Sequence, residues 1–217
     1  MNPDSPLPSA YGYDDYGSYN CSGPQMFVHD DVKSAIPFMK KSKESDKPFF
    51  INLWIHEPHT PFHVDPKLQK LFPDLPEADN IYAATLYHAD LRIGQLLDAL
   101  DEMKISDNTL VIFSSDNGPA RGSPNSPIAL SYDSATGPGY GIGAAKGITG
   151  GRRAFKGALM EGGIGVPFIA RWPGKIAAGK VDKTSVLSAV DLLPTFCELG
   201  NVKLPKSYRP DGVSQVS

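Results

Sequence analysis

The sequence is poor in cysteine, which removes several classes of protein from consideration. Only two cysteines occur among 217 residues, and Cys21 and Cys197 lie in no C-x-x-C or zinc-ligand spacing. A zinc finger, a thiol redox motif or a disulfide-rich scaffold is therefore not indicated. The pair could form a disulfide in an oxidising compartment, but we expect two free thiols.

Long apolar runs and a strong charge are also lacking. No run approaches the ~20 residues that a membrane-spanning helix needs. The first residues have neither the basic nor the apolar region of an export signal. The formal charge is −3, so nothing draws the chain toward nucleic acid or an anionic membrane. We therefore expect a soluble chain, without nucleic-acid or membrane partners, whose compartment the sequence leaves open.

Hydrophobic residues make up 41% of the chain and charged residues 21%, which is ordinary globular composition. Short apolar runs predict buried strands at 48–55, 109–114 and 166–171. Amphipathic patterns predict helices from residue 30, over 79–103 and over 191–199. Residues 118–151, which are rich in glycine, proline and serine, predict a long loop. Strands that alternate with helices favour an α/β fold, with an irregular lead-in at 1–27 and one domain at 28–217.

Particular residues predict where the helices begin and end. Asp30 or Asp31 is expected to cap the first helix, and Asp79 or Asn80 the second. The second helix has an apolar face in Leu86, Ile93, Leu97 and Leu100. In the third, Asp191 is the expected cap, Pro194 falls in the first turn and Gly200 stops the helix.

Three polar clusters accompany the predicted strands, and ligand crevices of open α/β sheets lie at the carboxyl ends of strands. They are His56-Glu57-Pro58-His59, Asp116-Asn117-Gly118-Pro119, and the basic segment that contains Lys156. Each alone has an ordinary explanation: D-N-G is a turn signal, and surface loops often carry histidine or lysine. Together, carboxylate and amide oxygens suit a hard divalent cation, while histidine and lysine suit an anionic oxyester.

Four strings occur in one order: PFFINLWIHEPHTPF, DNTLVIFSSDNGPA, KGALMEGGIGVPFIARWPGKIAAGK and SAVDLLPTFCELGNV. Together they resemble the type I sulfatases of the alkaline phosphatase superfamily, over roughly residues 28 to 213. The similarity is greatest to the arylsulfatase and N-acetylgalactosamine-6-sulfatase group. The resemblance implies an alkaline-phosphatase-like sheet flanked by helices, here partial, with the N-terminal strands missing. It also implies hydrolysis of sulfate esters of aryl compounds or carbohydrates, and export or a lysosomal location for the complete protein.

The resemblance assigns roles to individual residues. It implies Asp116 and Asn117 as ligands of Ca²⁺, and His59 and Lys156 as catalytic contacts to the sulfate group. His56, near the same rim, is a weaker candidate for substrate contact. Gly165 and Phe155 depart from the usual family residues, which leaves the shape of the pocket and the substrate open.

The family nucleophile, a formylglycine made from the Cys or Ser of a C/S-x-P-x-R motif, has no counterpart here. Asp14-Asp15 lacks a preceding strand, Asp30-Asp31 is explained as a helix cap, and Ser22-Gly23-Pro24-Gln25-Met26 has methionine where arginine is required. We therefore expect an N-terminally incomplete member with an exposed sheet edge and apolar face. We also expect it to hold a cation weakly and not to hydrolyse 4-nitrocatechol sulfate alone.

Two alternatives stay open. A related phosphodiesterase or phosphonate monoester hydrolase would differ in its nucleophile, with a plain Thr or Ser in place of formylglycine. A non-catalytic remnant could instead act as a binding module. An in-frame C/S-x-P-x-R upstream of Met1 in the gene would favour the hydrolase, and a stop codon without that motif would favour the binding module.

Overall fold

The computed structural model describes residues 5–18, 30–123, 125–134 and 137–216. The chain divides into two compact units, Met1–Ile176 and Ala177–Ser217. The boundary predicted at residue 27 falls outside the described residues and stays a prediction. Cys21 and Ser22 to Met26 also lie outside them. Within the described part, no helix is both long enough and apolar enough to cross a bilayer.

The first unit combines helices with two small sheets. Its elements are α1 (Asp31–Glu44), β1 (Phe62–His63), α2 (Pro66–Gln69), α3 (Glu77–Glu102), β2 (Val111–Ser114), β3 (Ala129–Ser134), β4 (Gly137–Tyr140), α4 (Glu161–Ile164) and β5 (Phe168–Arg171). β2 and β5 form an antiparallel pair, and β1, β4 and β3 form an antiparallel sheet in that order. The second unit contains α5 (Leu192–Leu199).

Helix α3 is central to the first unit because it contributes side chains to both apolar cores. Near its N-terminal end, Ile81 and Ala84 pack with Phe62 and Val64 around β1. Near its C-terminal end, Leu100 and other residues pack against Met39 of α1. Burial of such side chains contributes roughly 1.5–3 kcal/mol each, so α3 stabilises both cores.

The predicted face of this helix is wrong at one position. Leu86 is 43% exposed, while its neighbours Ala84 and Thr85 are fully buried. The buried stripe follows small residues that let neighbouring backbone approach closely. Sequence hydrophobicity alone gives such residues little weight.

The strands at 109–114 and 166–171 are confirmed as β2 and β5, but the strand at 48–55 is wrong. No strand is assigned there, because no other described strand pairs with it. Burial nevertheless alternates along the segment, with Phe49 and Ile51 packed against the α1–α3 core. The residues between them point outward, and Trp54 is 76% exposed.

Large apolar side chains are exposed on this segment and on the β2–β5 pair: Phe50, Trp54, Phe113, Phe168 and Ile169. Phe113 pairs with Ile169 across the two strands, so their side chains share one face of the pair. This is the exposed apolar face that the sequence led us to expect. Phe168, the neighbour of Ile169, points to the opposite face, so apolar surface is exposed on both faces of the pair.

The long loop predicted at 118–151 is partly wrong because it contains a hairpin. β3 and β4 pair antiparallel, and Phe62 of β1 pairs with Tyr140 of β4. Glycine and proline within β4 concealed the strand from a reading based on composition.

The predicted helix caps are also corrected. Asp30 has α-helical backbone angles and makes no capping bond; it accepts a bond from Lys33 Nζ at 2.8 Å instead. Asp79 and Asn80 lie inside α3, which begins at Glu77. Asp30 thus makes a local side-chain contact three residues along the chain and does not cap the helix.

In the second unit, Asp191 does not cap α5 as predicted but completes a capping box one turn earlier. Its carboxylate accepts bonds from the Ser188 and Val213 backbone N–H groups, each at 2.9 Å. Pro194 lies in the first turn of α5, and Gly200 occupies its C-terminal cap, both as predicted. Cys197 on the same helix is a free thiol.

These two bonds make stability depend on pH. Backbone donation from Ser188 and then Val213 holds the pKa of Asp191 below its ordinary value of 3.8. The folded state therefore binds fewer protons than the unfolded state, so this stabilisation is present above pH 3.8 and is lost as pH falls through the folded pKa. We expect Asp191→Asn to lower stability at pH 7 and to flatten its decline in acid, measured by urea unfolding from pH 3 to pH 7.

Asp211→Asn, on an exposed carboxylate of the same unit, is the matched control and should leave the curve unchanged. Parallel stability curves for the parent chain and Asp191→Asn would contradict the assignment.

Candidate functional site

The histidine loop at 56–61 is anchored to the helices by a buried ionic network. Arg92 of α3 donates from Nη1 to both carboxylate oxygens of Glu57, at 2.7 and 2.8 Å, and it also contacts the carboxylate of Asp31. The side chains of Glu57, Arg92 and Asp31 are 1%, 6% and 7% exposed. His88 Nδ1 lies 3.7 Å from Glu57 Oε1. One guanidinium between two carboxylates thus fixes the residue beside His56.

His59 presents one ring nitrogen outward. Its Nδ1 lies 2.6 Å from the Thr60 carbonyl oxygen, and since a carbonyl only accepts, Nδ1 carries the hydrogen. Nε2 has no hydrogen-bond partner within the described ranges and is available to a ligand. By the same reasoning, His56 Nε2 donates to Pro61 O at 3.1 Å. The His56 and His59 rings meet edge-on, 5.8 Å apart.

Asp116 and Asn117 lie in a bend that is separated from β2 by Ser115 alone. The Ser115 hydroxyl donates to Asn117 O at 2.9 Å, and Asn117 Nδ2 donates to Gly118 O at 2.8 Å. The side-chain carbonyl oxygen of Asn117 therefore points away from that bond and is left for another donor or a cation. Asp116 is exposed.

Backbone contacts bring this bend against the segment that carries Lys156. Gly118 N donates to Gly163 O at 2.8 Å, and Lys156 N donates to Pro119 O at 3.0 Å. The approach is so close that a Cβ on Gly118 would lie 1.9 Å from Gly162 O. Glycine is required here because any side chain would occupy the space of a backbone carbonyl. The backbone thus joins the cluster Asp116-Asn117-Gly118-Pro119 to the basic segment that contains Lys156.

The side chain of Lys156 is exposed, and its ammonium has no ion-pair partner in the part of the chain that the structure describes. The residue is followed by Gly157, whose φ is +90°, a conformation that favours glycine. The backbone of Lys156 is thus held against the bend that contains Asp116, while its side chain extends into solvent.

The oxygens of Asp116 and Asn117 are the kind of donor that Ca²⁺ prefers, but they are too few. Calcium takes about 6–8 oxygen ligands. Across the described ranges, no group of three or more His, Cys, Asp or Glu residues could hold a metal ion. The chemistry of the donors fits the cation and their number does not, so these two residues alone do not make a calcium site.

The structure joins some predicted site residues and not others. Asp116, Asn117 and Lys156 belong to one backbone assembly, and His56 and His59 share a loop. Among the described residues, no hydrogen bond links His59 to the other three. Sequence reasoning missed Arg92, which lies in a helical pattern otherwise assigned to core and surface. The available signal was its spacing of four residues from His88, which places two polar side chains on the same side of the helix.

Comparison with known proteins supplies the context for these residues. A family model described as Sulfatase matches residues 4–202. Arylsulfatase G of Rattus norvegicus is 32% identical over 182 residues, which cover 84% of this chain and 32% of that protein. The chain therefore spans about a third of the length of this relative.

Two solved structures share the fold. Ps i-CgsB, determined in complex with k-i-k-neocarrahexaose, is 29% identical with a TM-score of 0.69, covering 88% of this chain and 38% of that one. The PsFucS1 sulfatase from Pseudoalteromonas sp. is 28% identical with a TM-score of 0.63, covering 85% and 32%. The mixed helix and sheet architecture thus corresponds to part of the domain in these proteins.

Proposed function

The chain belongs to the sulfatase family, and we propose that it forms one side of an active site that hydrolyses sulfate esters of carbohydrates. The observation that carries the proposal is the backbone assembly of Asp116, Asn117 and Lys156, joined by the Lys156 N to Pro119 O bond at 3.0 Å. It joins the backbone that carries two oxygen donors to the backbone that carries an exposed lysine. The carbohydrate class is supported by the neocarrahexaose in the Ps i-CgsB complex.

In this proposal Lys156 and His59 bind the anionic sulfate. Breaking the ester bond moves negative charge onto the leaving oxygen, and donors held in place stabilise that charge. Lys156 supplies three N–H donors, and His59 supplies its outward Nε2 when the ring is protonated. His56, which donates to the loop backbone, has a weaker role in substrate contact.

Asp116 and Asn117 are proposed as two ligands of a divalent cation, with Ca²⁺ the ion whose donor preference they match. A bound ion would polarise a sulfate oxygen as a Lewis acid. Other oxygens would have to complete its shell. The formylglycine nucleophile expected in this family is made from a C/S-x-P-x-R motif, and this sequence contains no such motif. We therefore expect these residues alone to bind a sulfate ester and not to hydrolyse it.

Binding of a sulfate ester tests the assignment of Lys156. We expect 4-nitrocatechol sulfate to shift the backbone amide signals around Lys156 and His59 in an NMR titration of the ¹⁵N-labelled chain. Lys156→Gln should raise the Kd by about tenfold or more, because a hydrogen bond to a charged group contributes about 1.5–3 kcal/mol.

Lys175→Gln, at an exposed lysine of the same unit, is the matched control and should leave the Kd within twofold. An ester that binds equally to the parent chain and to Lys156→Gln would refute the role proposed for this lysine.

A further inference from the structure

A cleft adjoins the Lys156 segment at Phe155 and is not used by the proposed sulfate contacts. It encloses about 570 Å³, within the range of about 300–1,000 Å³ that small-molecule sites occupy. A single sulfate group needs far less. Its walls come from 121–123, Gly143, 145–151 and Phe155.

Two cations line this cleft and none of its lining residues is acidic. The Arg121 guanidinium lies over the Phe155 ring, 5.3 Å from the centroid, and in the described part of the chain it has no carboxylate partner. Lys146 Nζ lies 3.4 Å from Asp79 Oδ2, with both side chains about 41–42% exposed. Such a solvent-exposed pair contributes little, so Lys146 can exchange its partner for a ligand at small cost.

Two glycines allow the walls of the cleft to pack closely. A Cβ on Gly122 would lie 2.5 Å from Ala145 O, and one on Gly147 would lie 2.5 Å from Pro119 Cβ. The Arg121 and Lys146 segments are therefore packed directly against each other. By contrast, Gly150 and Gly151 have positive φ and open space around them, which leaves backbone groups accessible to the hydroxyl groups of a sugar.

The cleft is structurally continuous with the proposed sulfate site. Phe155 lines the cleft, and the next residue is Lys156. Pro119 packs under Gly147 and also accepts the hydrogen bond from Lys156 N at 3.0 Å. A ligand could therefore contact both Lys156 and the cleft without any rearrangement of the backbone between them.

We propose that the Arg121–Lys146 cleft is a subsite for a second oxyanion, carried by the sugar adjacent to the one whose sulfate ester lies at Lys156. The proposal rests on the function proposed above and names its substrate class as oligosaccharides with at least two anionic groups. Arg121 suits this role because its planar fork binds sulfate or carboxylate oxygens in pairs. Phe155 holds the guanidinium in place by its cation–π contact.

Three probes test the subsite by NMR titration of the full chain. They are galactose 6-sulfate, a disaccharide of this unit with a second sulfated galactose, and a disaccharide of this unit with glucuronate. We expect the disaccharides to bind at least about tenfold more tightly than the monosaccharide. The double variant Arg121→Gln with Lys146→Gln should abolish that gain while leaving the monosaccharide Kd within twofold. The two disaccharides show whether sulfate or carboxylate is preferred.

Variants separate failure of the subsite from failure of the proposed function. Lys156→Gln should weaken the binding of all three probes. If Arg121→Gln proves unstable, Arg121→Lys serves in its place: it keeps the charge and should keep part of the gain in affinity for the disaccharides. Disaccharides that bind no better than the monosaccharide, with Lys156 still required, would overturn the subsite and leave the proposed function standing. Binding that is independent of Lys156 for every probe would overturn both.

Discussion

Arg92→Ala is expected to lower the free energy of unfolding by about 3–5 kcal/mol, because removal of one partner from a buried ion pair leaves an uncompensated charge. Here the guanidinium binds Glu57 through both oxygens, at 2.7 and 2.8 Å, and also contacts Asp31. Two buried carboxylates would lose their counter-charge at once. Urea unfolding of the parent chain and the variant at pH 7 measures the loss.

The control for Arg92 is a surface ion pair at the start of α1. Lys33 Nζ lies 2.8 Å from Asp30 Oδ1, but the lysine side chain is 76% exposed. Lys33→Ala should therefore change the unfolding free energy by less than about 1 kcal/mol. If Arg92→Ala behaved like Lys33→Ala, the network would not be the anchor of the histidine loop.

Glu57→Gln gives the same network a second test. The amide keeps the shape of the carboxylate and removes its charge, so Arg92 would retain Asp31 as its ionic partner. We expect a smaller loss than for Arg92→Ala, because Glu57→Gln leaves Arg92 paired with Asp31, whereas Arg92→Ala leaves two buried carboxylates without the guanidinium they share. The order of the two losses follows from the geometry alone.

The helices could be predicted from the sequence because their pattern is local. Residues 79–103 repeat apolar side chains at helical spacing, and α3 covers Glu77–Glu102. Gly200 was correctly predicted as the stop of α5, although its φ is −82° and the left-handed conformation falls on the next residue, Asn201, at φ +51°. The strand at 48–55 failed because a strand exists only through a partner. Its alternating burial, with Trp54 outward, was visible in the sequence only as a continuous apolar run.

The residue types of the candidate site could be predicted from the sequence, but the contacts that join them could not. Residue types at the ends of predicted strands indicated Asp116, Asn117, His59 and Lys156. Their joining depends on Gly118 and Gly162, which meet through bare backbone across 44 positions of sequence. No local pattern announces such a contact, since a glycine followed by proline predicts only a turn. Arg92 was hidden for a similar reason: its partner Glu57 lies 35 positions away.

The same glycine contact leads to a prediction with a large effect. Gly118→Ala should destabilise the chain by about 3 kcal/mol or more, at or above the upper end of ordinary overpacking. The new Cβ would meet Gly162 O at 1.9 Å and Gly163 Cα at 3.1 Å. Both are backbone atoms, which cannot rotate away as a side chain would. Relief requires that the Asp116 bend withdraw from the Lys156 segment.

Gly94→Ala is the matched control, because it makes the same substitution at a glycine of α3 whose Cβ would meet nothing within 4 Å. There alanine should stabilise the helix by about 0.5–1 kcal/mol, so the two variants should shift the urea midpoint in opposite directions. NMR adds a second readout. In Gly118→Ala the amide signal of Lys156 should move, because its bond to Pro119 O is one residue from the clash. A stable Gly118→Ala with an unmoved Lys156 signal would mean that the Asp116 bend does not position Lys156. The proposed assembly of Asp116, Asn117 and Lys156 would then lose its structural basis.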